Sequence, residues 1–182
     1  MMMAIAVLGM QAKSIDGKLT VTINDLTSTQ DANISLDQDE NGNYTLSILN
    51  FVLVTDETEI GVGNIVVDDL QPFTVAGKTT LTNKRVIDIP AGDREDIDFW
   101  IGPSLTEDYG GVPIILVTSL EGDNVVVDID INMMETGLHQ MINVNFTNVE
   151  GGQGETFEPG DVNRDGAVSG ADVTALYNIL LN

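Results

Sequence analysis

The sequence predicts an all-β domain of about eight short, mostly antiparallel strands followed by a small acidic tail, and three observations carry that prediction. Apolar and polar residues alternate with period 2 through much of the stretch 17–147, the signature of half-buried strands. Turn residues such as Asn41-Gly42 and 121–124 (EGDN) separate these runs at short intervals. Near the C-terminus, 161–172 is a 12-residue Asp/Asn-rich loop with glycine at its sixth position, the spacing of a calcium loop.

The strands are taken in chain order. In 17–24, Leu19, Val21 and Ile23 share one face and Lys18, Thr20 and Thr22 the other, which excludes a helix there. Ile34 and Leu36 continue the pattern, Asn41-Gly42 turns the chain, and Tyr44, Leu46 and Ile48 alternate on the return. Residues 51–54 form a short apolar run, and 60–67 a strand interrupted by Gly61 and Gly63, which predict bulges or bends. A strand over 79–89 ends at Pro90 and the turn residues 91–93. Strands 114–120 and 125–132 pair across 121–124, with Val127, Ile129 and Ile131 facing opposite to Asp128, Asp130 and Asn132. Ile142, Val144 and Phe146 form the last strand. A closed barrel is the economical solution because closure removes exposed strand edges; a two-sheet sandwich has the same periodicity.

Composition narrows the function classes. The chain has 182 residues, enough for one β domain and an appendage, with 29 acidic residues against 7 basic ones and a net charge of -22. That charge repels phosphate backbones, so nucleic acid is not an expected partner. The absence of cysteine excludes disulfides, thiolate catalysis and the usual structural zinc sites. Residues 1–10 (MMMAIAVLGM) are apolar and uncharged, the length of a signal-peptide core and short of the roughly 20 residues of a membrane helix. Residues 1–12 are therefore expected to be a truncated signal peptide of an exported protein, cleaved after Ala12, with no transmembrane span; the other reading is a first β-strand. Met10 is a poor small residue for the cleavage site, and no basic region precedes the apolar run, so the true start is expected further upstream.

The stretches GKLTVTIN (17–24), NGNYTLSILNFVL (41–53), VGNIVV (62–67), WIGP (100–103) and VVVDIDINM (125–133) resemble the calycin-like β-barrel domain of gut Bacteroides and their relatives, over roughly 15–148. The resemblance implies an eight-stranded, lipocalin-like barrel in an exported protein and transfers no activity. A barrel of eight strands is just wide enough either to be filled by its own side chains or to hold one small apolar ligand.

The tail carries the metal chemistry. Calcium takes 6 to 8 oxygen ligands, and a tight loop presents them from positions 1, 3, 5, 7, 9 and 12. These are Asp161, Asn163, Asp165, Ala167, Ser169 and Asp172, with Gly166 at the turn; Ala167 would donate its carbonyl and Ser169 a hydroxyl or a bridging water. Aspartate at position 12 departs from the EF-hand pattern. The stretch GDVNRDGAVSGADVTALYNILLN (160–182) resembles one dockerin type I repeat, which makes that same substitution. Val173, Leu176, Tyr177 and Leu180 then line one helical stripe. Full dockerins pair two repeats and commonly carry a hydroxyl at loop positions 10 and 11, whereas this chain has one repeat with Gly170 and Ala171 there, which leaves cohesin binding an open alternative. The expected organisation is 13–150 barrel, 151–158 glycine-rich linker and 159–182 calcium-binding repeat.

No catalytic set assembles. His139 is the sole histidine, no G-x-S-x-G or phosphate-binding glycine motif occurs, and Asp128 with Asp130 reads as a solvated strand face. Trp100 and Pro103 either plug the barrel end or line its mouth. The expectation is a non-enzymatic binding protein docked through its tail, by the C-terminal helix to a protein partner; the alternative is a structural, adhesion or assembly component with a filled barrel.

Overall fold

A computed structural model describes residues 13–24, 26–55 and 58–149. Residues 1–12 and 150–182 lie outside the described residues, and with them the expected signal peptide, linker, calcium loop and terminal helix.

The architecture is all-β: one antiparallel, curled sheet of nine strands. In chain order they are β1 (Lys13–Ile23), β2 (Leu26–Gln38), β3 (Tyr44–Val54), β4 (Glu59–Leu70), β5 (Pro72–Val75), β6 (Lys78–Ile87), β7 (Val112–Glu121), β8 (Asn124–Asn132) and β9 (Met141–Thr147), with one helix, α1 (Ile101–Tyr109), between β6 and β7. The order across the sheet is β4-β3-β2-β1-β9-β8-β7-β6-β5. Its two edge strands are neighbours in the chain, separated by Gln71 alone. Arg85 on β6 reaches across to β4, donating to the Asp68 carboxylate at 2.5 Å and to the Asp68 carbonyl at 2.6 Å.

The expected strand count of eight becomes nine because β5 is a four-residue strand, exposed along its whole length, that carries no alternation to read. The turns behave as their residues require. Ala76 and Gly77 both take positive φ between Val75 and Lys78, and Gly122 takes φ 60 in the two-residue link that leaves Glu121 opposite Asn124. In the 39–43 loop the Asp39 carboxylate accepts from the backbone N–H of both Asn41 and Asn43, each at 2.8 Å.

The short apolar run 51–54 continues β3 through a bulge: the β3–β4 register slips between Ile48 and Phe51, and Asn50 takes φ 55. The strand expected over 79–89 stops at Ile87.

Side chains from every long strand meet on the concave face. Leu19, Ile34, Leu46, Leu81, Leu116 and Phe146 have 0% of their surface exposed. Helix α1 caps this core by packing Leu105 and Tyr109 against it. Gly102 lets the helix approach, since a Cβ there would sit 2.5 Å from the Val62 and Ile89 carbonyl oxygens. Thr106 Oγ1 accepts the Ile89 N–H at 3.1 Å, and Gly110 closes the helix in the left-handed region at φ 72.

Among the described residues one buried side-chain group lacks a partner. Thr118 points from β7 with 0% exposure, and its hydroxyl has no hydrogen-bond partner. Thr118→Val, of nearly equal volume, is expected to stabilise the fold by about 1 kcal/mol, because it removes the desolvation cost of that oxygen. Urea denaturation of the two proteins checks the sign.

Candidate functional site

Three places could hold function: the barrel interior, the outward face of β1, β2, β8 and β9, and the end of the barrel covered by α1.

Around Leu19, Ile34, Leu46, Leu81, Leu116 and Phe146 the interior is filled. A void large enough for a ligand would leave accessible surface on its walls, and the wall residues named above have none. Phe146 occupies the centre because β1 yields space to it: a Cβ on Gly17 would lie 2.5 Å from the ring.

The outward face is mixed: polar along β1, β2, β8 and β9, but apolar at Ile115 and Val117 on β7 and at the exposed Leu49, Val66 and Val86. Thr20 and Thr29 share a hydroxyl hydrogen bond at 3.0 Å, as do Thr22 and Thr27. Asn143 donates through Nδ2 to Asp128 Oδ1 at 2.9 Å and to Asp130 Oδ1 at 2.8 Å, and Asn145 donates to Asp128 Oδ2 at 3.2 Å. Asp128 was expected to be solvated, yet it is 2% exposed. Alternation placed it correctly opposite the core, but period 2 reports a face and not what crowds that face; here Val117 and Asn145 flank it in register and the asparagine amides take the place of water. No helix among the described residues is long and apolar enough to span a bilayer.

At the capped end, Trp100 is half-buried and precedes α1 in an extended conformation, bridged to Gly61 of β4. Its ring rests where Gly92 has no side chain; a Cβ there would lie 2.5 Å from the indole. Trp100 therefore serves the packing of the 88–100 segment on β4, and Pro103 is exposed in the first turn of the helix. The 88–100 segment is fastened further by Asn50, which donates to Asp93 Oδ1 at 2.6 Å and accepts the Asp93 N–H at 2.7 Å.

His139 is exposed in the 133–140 loop, and its Nδ1 lies 3.0 Å from the Met134 carbonyl. Arg94 and Asp96 form an exposed pair at 2.5 Å; their mutual hydrogen bond raises the guanidinium and lowers the carboxyl from their ordinary values, leaving both charged at neutral pH. Among the described residues no three His, Asp or Glu side chains converge as a metal site. The predicted ligands Asp161, Asn163, Asp165, Ala167, Ser169 and Asp172 lie outside those residues.

The curled antiparallel sheet with a filled apolar face agrees with the comparison to known families, in which residues 16–149 match the model of the calycin-like β-barrel domain. The chain belongs to that family. A solved structure from Bacteroides fragilis, described as a putative outer membrane protein, superposes with a TM-score of 0.51 at 9% identity, over 75% of this chain and 49% of that one. That likeness is one of fold, and this chain spans about half the length of that protein. No curated protein matches the chain.

Proposed function

We propose that this calycin-like domain is an exported, non-enzymatic scaffold: an eight-staved barrel, with β4 and β5 counted as one bent strand, that carries a calcium-ordered docking repeat at 159–182. The observation that carries the reading is the filled interior, whose central side chains expose none of their surface. Lipocalin-like barrels that hold a ligand need an open cavity, so of the two expected roles, ligand carrier and assembly component, the packing favours the second. The apolar segment 1–10 and the family's expected setting support export. The stripe Val173, Leu176, Tyr177 and Leu180 supplies the contact for a protein partner, and the departures at Gly170 and Ala171 direct that contact away from an ordinary cohesin.

Native mass spectrometry of the protein purified from its own host tests the scaffold. The expected result is the bare polypeptide mass with metal ions only. A stoichiometric apolar small molecule, or submicromolar binding of a fluorescent fatty-acid analogue, would sink the scaffold reading in favour of a carrier.

A further inference from the structure

We propose that the gap between β2 and β3 is a docking slot for an extended peptide strand, parallel to β3 and of apolar, uncharged or basic character, and that Gln30 is its built-in plug. This goes beyond the scaffold reading and does not depend on it, because the slot is argued from residues of β2 and β3 in the barrel wall.

The two strands share a backbone ladder only from Ser35↔Ser47 to Gln38↔Tyr44, although β2 starts at Leu26 and β3 continues to Val54. The bulge in β3 is the cause. Asn50 turns its N–H to Asn64 Oδ1 at 2.7 Å and its side-chain amide to Asp93, drawing the second half of β3 toward β4 and away from β2.

A side chain stands where a strand would be. Gln30 donates through Nε2 to the Val52 carbonyl at 2.8 Å, and its Oε1 accepts the Val54 N–H at 2.8 Å. The Ser28 hydroxyl donates to the Val54 carbonyl. Accepting from residue 54 and donating to residue 52 is the pair of bonds that one residue of a parallel strand would make opposite Leu53. The primary amide of Gln30 is thus a single peptide-like group set against an edge that carries no further ladder among the described residues, and it identifies the chemistry that can replace it: the backbone of an extended peptide.

The rims of the gap specify the side chains. Leu26, Leu49 and Val54 are 80%, 58% and 41% exposed, so apolar residues at alternate positions of an incoming strand have surface to cover. The net charge of -22 disfavours an acidic peptide and draws in a basic one.

The test uses the full-length, isotopically labelled protein and a blocked peptide, Lys-Val-Thr-Val-Thr-Val-Lys, alongside the same peptide with alternate backbone amides methylated. In the wild type the unmodified peptide is expected to shift the amide resonances of Val52, Leu53 and Val54 and the side-chain NH2 of Gln30. Gln30→Ala removes the plug and is expected to tighten binding about tenfold, since two hydrogen bonds no longer have to be broken. Methylation, which blocks the ladder, is expected to weaken binding by a similar factor. The proposal is overturned if the peptide leaves those resonances unmoved in both proteins, or if the methylated peptide binds as well as the unmodified one. Should Gln30→Ala not fold, Gln30→Glu keeps the side-chain length while deleting the donor to Val52, and the wild-type titration decides by itself.

Discussion

Phe146→Ala is expected to destabilise the fold by about 3 to 5 kcal/mol, the range for removing a fully enclosed phenylalanine ring. Domains of this size are stable by only about 5 to 15 kcal/mol, so the variant keeps a small margin or none. The reasoning runs from burial to packing. Phe146 is 0% exposed, and its ring fills the space that Gly17 leaves on β1. In register Phe146 lies opposite Leu19 on β1 and Val127 on β8, both themselves buried, so three strands lose contacts together. Neighbouring strands are held at fixed spacing by their ladders and cannot collapse into the hole. Chemical denaturation followed by circular dichroism measures the loss. A change below about 1 kcal/mol would mean that the interior is loosely packed, and would weaken the case for a filled scaffold as well.

The core was legible because its strands are long and cleanly alternating. Leu19, Val21 and Ile23 on β1, and Val127, Ile129 and Ile131 on β8, follow period 2 without interruption, and tight turns bound them. Three features escaped for distinct reasons. Strand β5 has four residues, begins with proline and is exposed on both faces, so it has no pattern to detect. Strand β3 carries its bulge at Asn50, which shifts the phase of alternation and splits one strand into two apparent ones.

Helix α1 lacks a side-chain cap and holds Gly102 and Pro103 in its first turn, which masks it; the spacing of Ile101, Leu105 and Tyr109 ahead of Gly110 is the signal that could have found it. Long-range relations were beyond the sequence altogether. Nothing local reveals that Gln30 will reach Val52 and Val54, or that Asp128 will be enclosed by asparagine amides, because both follow from register and curvature.

Calcium is expected to order the tail while the barrel folds without it. In the proposed loop Asp161, Asp165 and Asp172 crowd three carboxylates into 12 positions, where they repel one another until a cation bridges them. The helix expected over 171–181 is shorter than the ~12 to 15 residues at which isolated helices become even marginal, so it needs the bound ion and an apolar surface for Val173, Leu176 and Leu180. Calcium addition is therefore expected to raise the helical circular dichroism signal without changing the β contribution, since the buried cluster among the described residues is built on strands of its own between residues 13 and 149. Asp161→Ala and Asp165→Ala each remove a ligand and a charge, and calcium affinity ranges over decades with ligand charge count, so each is expected to weaken binding by more than about tenfold. Their urea midpoints, read on the barrel signal, are expected to match the wild type. Isothermal titration of the three proteins decides it: a wild type that gives no calcium-dependent heat, or variants that bind as tightly as it does, would show that 161–172 is only an acidic turn.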